Sequence, residues 1–350
     1  MRMNECDRRS PSNRLDMDVI TLEDMRFNPP DFPVELVAAH VAREYGLEGS
    51  WQPLDGERDQ NFRLVTPEEQ AFVVKIAGPD EDPAITDFQV QALLHLERSS
   101  PELLVPRLVR TLAAQCLGEI ISDLGIRHAL RVVTFLPGIP YGGGAFPDAK
   151  HLRQIGGFMG RMVNALAGFD HPASGHVMPW NLSNGIAVSR DLWASAEDDV
   201  RSLAAPMLDR LRDEVLPALN GLPSQVIHND GHTGNLLRAD AQSQEVVGLI
   251  DFGDMVYAPV INELAIPATT FLRLRPESLS IVEQLLAGFH GVHPLSDAEV
   301  SLLWDAITLR SLITVLLSAV QVKLGGNTAG GARKDRTEAM SLLAIVASMD

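Results

Sequence analysis

The stretch that most constrains this chain runs from Val226 to Glu263, VIHNDGHTGNLLRADAQSQEVVGLIDFGDMVYAPVINE. It contains two short apolar runs, Val226-Ile227 and Val246-Val247-Gly248-Leu249-Ile250, and each empties directly into acids and amides. The first leads into His228-x-Asp230, with Asn235 five residues past the Asp; the second leads into Asp251-Phe252-Gly253-Asp254. Short apolar runs of this kind read as buried strands, and strand ends are where rigid backbone hands side chains to solvent. The segment therefore predicts a site built at strand ends.

The remaining chain must supply partners for that site. At 350 residues it exceeds one ordinary core, and 45% hydrophobic with 21% charged residues provides for about two soluble lobes. No apolar run approaches the roughly 20 residues that span a bilayer. The opening MRMNECDRRSPSNRLD lacks the apolar centre of a secretory signal. Two cysteines, Cys6 and Cys116, make neither a disulfide framework nor a metal cluster, so a reducing cytoplasm is expected. A formal net charge of -17 argues against nucleic acid or an anionic membrane as partner. A polyanionic nucleotide would then need local lysine, backbone N–H groups and a divalent metal.

Taken in order, residues 1–30 are polar, end in Asn28-Pro29-Pro30 and predict a flexible tail. Residues 31–135 predict a small α+β lobe. Within it a helix runs from Pro33 to Tyr45 and stops at Gly46. A hairpin follows, with Phe62 and Leu64 on one strand, Phe72-Val73-Val74 on the other, and Lys75 late in the second. Pro83 then opens a helix with Ile85, Phe88, Ala92 and Leu96 on one face. Strand-like runs at Val105–Leu112, Gly118–Ile121 and Arg131–Leu136 complete the lobe. Residues 136–350 follow with the Gly-rich loop Tyr141–Gly144 and read as helical outside the opening segment. The spacing predicts helices over Asp148–Leu166, Leu192–Leu219 with a break at Pro206, Ser278–Phe289 and Asp297–Lys323. A flexible linker, Gly325–Arg333, precedes a short last helix.

Phosphoryl transfer calls for a metal-bridged triphosphate, a group that takes the acceptor's hydroxyl proton, and positive charge on the phosphates. The chain carries a candidate for each. Lys75 ends an apolar strand, Asp230 suits the proton, and Asn235 and Asp251 are hard oxygen ligands of the kind Mg²⁺ takes. The loop Gly56–Asn61 is expected over the phosphates, and His228 is expected to brace the catalytic loop.

The pattern His228-x-Asp230-x4-Asn235, a strand, then Asp251-Phe252-Gly253 resembles the eukaryotic-like kinase superfamily in its aminoglycoside phosphotransferase and choline kinase branch. Asp251-Phe252-Gly253-Asp254-Met255, Gly56-Glu57-Arg58-Asp59-Gln60-Asn61-Phe62, Val74-Lys75-Ile76 and Trp180-Asn181-Leu182 are most similar to hydroxylysine kinases and to the kinase-like domain of class III aminotransferase fusions. The resemblance implies a bilobal protein kinase-like α+β fold, with a small mixed β-sheet in the N-lobe and a mainly helical C-lobe. It implies Asp230 as catalytic base, Asn235 and Asp251 as Mg²⁺ ligands, and Lys75 on the phosphates beneath Gly56 and Asn61. Thr134 to Leu136 become the interlobe hinge, offering backbone groups to the nucleotide base. The helix Glu that pairs with the lysine elsewhere in the superfamily is replaced by Gln89, which can hydrogen-bond Lys75 but cannot neutralise it.

Four further residues carry two readings each. Asp254 and Glu263 are candidates to face an acceptor's ammonium, or are a loop acid and a helix N-terminal charge. Trp180 lines the acceptor pocket or belongs to the core. His232 contacts phosphate or acceptor, or stabilises its own loop. The activity implied is Mg²⁺-dependent transfer of the γ-phosphate of ATP or GTP to a hydroxyl of a small amine-bearing molecule, hydroxylysine first. Aminoglycosides, choline or ethanolamine, and homoserine are the other acceptors, and a catalytically silent nucleotide sensor is the reading of a different class. No nucleic acid or membrane partner is expected, and the chain is expected to be a monomer or homodimer.

Overall fold

In the computed structural model, which describes residues 28–142, 145–193, 196–324 and 329–347, apolar side chains gather into two main clusters. Most of the expected N-terminal tail, Gly143 and Gly144 of the glycine-rich loop, and residues 325–328 of the expected linker lie outside the described residues.

The smaller cluster forms where helix α1 (Val34–Tyr45) lays Val37 and Val41 on a sheet presenting Phe62, Leu64, Val74, Ile76 and Val132. Gly46 ends α1 in the left-handed region, φ 68°, and returns its N–H to the Ala42 carbonyl. The sheet order is β1 (Ser50–Leu54), β2 (Gln60–Val65), β3 (Ala71–Ile76), β6 (Arg127–Thr134) and β4 (Leu108–Val109), with β5 (Gly118–Ile121) also on β6. Every pairing is antiparallel, so the sheet is simpler than the mixed one expected. Period-two alternation buries Phe72, Val74 and Ile76 of β3 and turns Lys75 to the opposite face. Strand β6 stops at Thr134, before Leu136, and the run at Val105–Leu112 keeps only two strand residues.

Helix α2 (Pro83–Ser99) starts on an Asp82 side-chain cap, with Pro83 in its first turn. Its Phe88, Ala92 and Leu96 join the larger cluster, so α2 is the seam that fastens the sheet to the helical half.

In that half, β7 (Ile139–Pro140), β9 (Leu236–Arg238) and β10 (Val246–Leu249) form one small sheet, and β8 (Ser224–Ile227) pairs with β11 (Val256–Pro259). Helices α3 (Ala149–Ala165) and α8 (Ser280–His290) touch backbone to backbone. A Cβ on Gly156 would stand 2.0 Å from the Leu285 carbonyl oxygen, and one on Gly288 would stand 1.9 Å from that of Arg153. Helix α4 (Gly185–Leu192) precedes α5 (Asp198–Arg210), which contains Pro206 without breaking there. The irregularity is a π turn, Leu211–Val215, placed just before α6 (Leu216–Asn220). Pro217 explains it, because a proline ring clashes with the carbonyl four residues back and the wider turn relieves that.

One buried helix escapes the sequence reading. Helix α7 (Asn262–Leu274), buried for most of its length, carries Pro267 in its interior, which obscures the helical signal. Helix α9 (Asp297–Leu324) contains an 18-residue window long and apolar enough to cross a membrane, which corrects the expectation that no run approaches that length. Yet 72% of that window is buried in the chain, because α4, α7 and α10 (Ala329–Ala347) pack around it. Helix α10 begins at Ala329, inside the expected flexible linker.

Candidate active site

Strands β8 and β11 set the geometry. Their register places Val256 opposite Ile227, so the loop after β8 and the loop before β11 emerge side by side. Both loops turn sharply through left-handed residues, Asn229 at φ 64° and Asp251 at φ 63°. The Asn229 side chain donates to the Asp254 carbonyl at 3.1 Å and stitches the loops together.

Beneath them lies a buried polar layer. The His228 ring stands edge-on to Phe252, centroids 4.7 Å apart, and its Nδ1 accepts the Asp230 N–H at 3.2 Å. Burial pulls its pKa down to about 4, so the ring is a neutral brace. Glu263, at the start of α7 and 1% exposed, accepts the Asn229 N–H at 3.0 Å. Burial pushes its carboxyl up to about 7, against the lowering effect of the Asn229 and His228 backbone donors. This corrects the expectation that Glu263 faces an acceptor: it lies under the catalytic loop and holds it.

Above this layer, Asp230 Oδ2 accepts from Asn235 Nδ2 at 2.7 Å and faces His232 Nε2 at 3.5 Å. Asn235 also donates to the Asp230 carbonyl at 3.0 Å, so its amide nitrogen is spent and its oxygen is the atom left for a cation. His232 Nδ1 accepts the Gly234 N–H at 2.8 Å, the loop-stabilising role rather than a free contact. The other Asp230 oxygen, Oδ1, lies 3.7 Å from Nη2 of Arg310 on α9. Burial works to raise the Asp230 carboxyl, and the His232 and Arg310 charges outweigh it, leaving the group below its ordinary value.

Across the cleft, Lys75 Nζ lies 3.3 Å from Asp251 Oδ1 and 3.4 Å from Asp59 Oδ2. Lys75, and then Arg58, hold the Asp251 carboxyl well below its usual range, although half of its side chain is exposed. Asp59 is itself held by the buried Arg131 of β6 at 3.0 Å. No hydrogen bond joins Lys75 to Gln89 among the described residues; the carboxylate that meets the lysine comes from the β1–β2 loop instead. That loop is folded on itself. A Cβ on Gly56 would lie 2.1 Å from the Asp59 carbonyl oxygen, and Asn61 Nδ2 closes the turn on the Asp55 carbonyl at 3.3 Å. Arg58 reaches down to the Asp254 carboxylate, and Glu57 accepts from Gln321 of α9 at 2.8 Å. Burial, with the Asp230 and Asp251 charges, pushes Asp254 up while Arg58 pulls it down.

At the back of the cleft the hinge is mostly self-satisfied. The Thr134 N–H bonds the Arg107 carbonyl, its hydroxyl accepts the Arg107 N–H, and the Phe135 N–H bonds the Ala71 carbonyl, each at 2.9 Å. Among the described residues the Leu136 N–H makes no backbone hydrogen bond. At the front, the half-buried Trp180 carries the Arg310 guanidinium 5.0 Å over its ring. Sequence reasoning missed Arg310, Asp59 and Arg131. A signal existed for the first, a single cation in the apolar middle of α9.

With this geometry in hand, the likeness to known proteins is specific. Residues 50–298 match the model of the phosphotransferase enzyme family. The chain belongs to that family. The hydroxylysine kinase of Mus musculus is 24% identical over 318 residues, covering 84% of each chain. The homoserine kinase of Methylobacterium radiotolerans is 30% identical over 289 residues, covering 77% of this chain and 81% of its own. Among solved structures, an amicoumacin kinase in complex with AMP-PNP, Ca²⁺ and Ami superposes with a TM-score of 0.67 at 16% identity, over 89% of this chain and 94% of that one. The chain is thus a small-molecule phosphotransferase with an alcohol acceptor.

The residues present fit such a cation. Among the described residues no three His, Cys, Asp or Glu side chains form a metal cage. One ionised carboxylate, Asp251, and one amide oxygen, on Asn235, would suit a metal of the kind that takes few protein donors and completes its shell with phosphate and water.

Proposed function

We propose that the chain transfers the γ-phosphate of a nucleoside triphosphate, with Mg²⁺, to the hydroxyl of a small amine-bearing molecule, hydroxylysine or a close analogue. The observation that carries this reading is the gathering of Asp230, Asn235 and Asp251 on two joined loops, with Lys75 3.3 Å from Asp251. Asp230 Oδ1, the oxygen not used by Asn235, takes the acceptor's proton as the hydroxyl oxygen attacks the γ-phosphorus and the bond to the β-phosphate oxygen breaks. Lys75, released from its carboxylates, neutralises the α- and β-phosphates. Mg²⁺ on Asn235 and Asp251 supplies the remaining positive charge. The Leu136 N–H and neighbouring backbone carbonyls meet the base.

A coupled phosphorylation assay over amino alcohols and hydroxy amino acids, with ATP and with GTP, tests the proposal. Turnover of at least one acceptor is expected, and Asp230→Asn should lower it by roughly 1,000-fold or more while leaving nucleotide binding intact. Near-normal turnover in that variant would sink the assignment. Homoserine is the second acceptor to try, because a homoserine kinase stands at 30% identity.

A further inference from the structure

Helix α9 has no cation between Asp297 and Gln321 except Arg310, which is 5% exposed. Its guanidinium is fixed on one side only. Nη1 donates to the Trp180 carbonyl at 2.7 Å, and the plane rests over the indole. Nη2 points at Asp230 Oδ1 but at 3.7 Å stops short of a hydrogen bond. Among the described residues no hydrogen bond uses Nε or Nη2. Those two N–H groups lie along one edge of the guanidinium, the edge that grips a carboxylate with two parallel bonds. Neither atom is among the buried side-chain atoms left without a partner, so this edge of an otherwise buried arginine stays accessible to an anion.

We propose that this edge binds the carboxylate of the acceptor, so the acceptor is a hydroxy amino acid rather than an amino alcohol, choline or an aminoglycoside. The inference rests on the phosphotransferase reading above and narrows its substrate class. With the acceptor's hydroxyl on Asp230 Oδ1 and its carboxylate on Nε and Nη2 of Arg310, a short carbon chain spans the two. The Trp180 ring holds the guanidinium flat, so the pair measures both ends of the acceptor at once. Arg310 is then a specificity residue that also lowers the charge repulsion between Asp230 and an anionic substrate.

Matched pairs differing only by the carboxylate test this: homoserine with 3-aminopropan-1-ol, serine with ethanolamine, and hydroxylysine with its decarboxylated diamine. The parent should favour the acid of the pair it uses by roughly 100-fold or more in kcat/KM. Arg310→Met should collapse that ratio to about fivefold or less through KM for the acid, and Arg310→Lys should restore part of it. Equal use of both members by the parent overturns the proposal, whether or not the variant folds. An equal loss on both members, with a shifted pH profile of kcat, also overturns it, because Arg310 would then serve Asp230 alone. Turnover of aminoglycosides only would overturn it while leaving the phosphotransferase reading intact. Calorimetric titration of the same pairs reads recognition without turnover. Acid-selective binding lost in Arg310→Met supports the site even if no acceptor is phosphorylated, and unselective binding refutes it.

Discussion

The two sides of the cleft are held by different physics. On the C-lobe side, Asp230 and Asn235 ride on a loop whose supports, His228 and Glu263, are buried and hydrogen-bonded to its backbone. On the N-lobe side, Lys75, Asp59 and Arg58 are held by ion pairs, with Arg58 still about one-third exposed. Buried hydrogen bonds keep one geometry, since breaking one strands a polar group away from water; ion pairs with one partner reaching solvent, as Arg58 and Asp251 do, exchange partners at lower cost. Asp230 is thus ready before substrate arrives. Lys75 and Arg58 instead rest on Asp59, Asp251 and Asp254, carboxylates that occupy them where phosphate oxygens would.

Breaking the buried side should give the largest effect. Glu263→Ala leaves the Asn229 and His228 N–H groups without their acceptor and should lower unfolding free energy by roughly 3 kcal/mol, measured by denaturant titration. A loss below about 1 kcal/mol would mean that the loop is held by something else.

Next comes a pH test of the same brace. Glu263 has an ordinary value of 4.5 and is pushed up to about 7 in the fold. Between those values the folded chain keeps a proton that the unfolded chain releases, so this contribution to stability is complete below 4.5 and lost as pH rises through 7. Glu263→Gln lacks the titration and should gain on the parent by roughly 3 kcal/mol between pH 4.5 and pH 8. His228, with its pKa at about 4, acts in the opposite direction over the acid part of that range, but is common to both proteins and cancels in the difference. A pH-independent difference would refute the buried-proton account.

On the N-lobe side, Asp59→Asn should raise KM for the nucleotide by about tenfold, because Lys75 loses a carboxylate that orients it, and should also lower stability, because the buried Arg131 loses its counter-ion. The smallest effect is expected from Arg58→Gln, which removes the Asp254 pair at a cost of under about 1 kcal/mol, read from its thermal midpoint. If Arg58→Gln destabilised as much as Glu263→Ala, the contrast between the two sides would disappear.

The sequence carried much of this, unevenly. Lys75 stands within an apolar strand, Asp230 and Asp251 shortly after one, and Asn235 at a fixed spacing from Asp230, local patterns that can be read without knowledge of the fold. The lysine's carboxylate partner was not legible in this way. The superfamily pattern points to position 89, whereas Asp59 reaches Lys75 through the hairpin, where Asn61 lies opposite Lys75. Arg310 was hidden for a related reason. Its contacts, Trp180 and Asp230, lie 130 and 80 residues away in sequence, and periodicity speaks only of neighbours on one helix. Glu263 was visible as an acid, but whether it looked into the cleft or under the loop depends on how α7 docks. Helix α9 shows the same limit: its composition fits lipid or protein interior equally, and packing decides.

The pairing of β8 with β11 has a mechanical consequence. Because Val256 pairs opposite Ile227, and Asn229 is tied to Asp254, the loops that carry Asp230 and Asp251 are fastened to each other. A lobe motion that respected these links would leave the spacing of Asp230 and Asp251 unchanged and alter their distance to Lys75. A cycle of opening and closing would tune phosphate contact without re-aiming the atoms that bond to the acceptor.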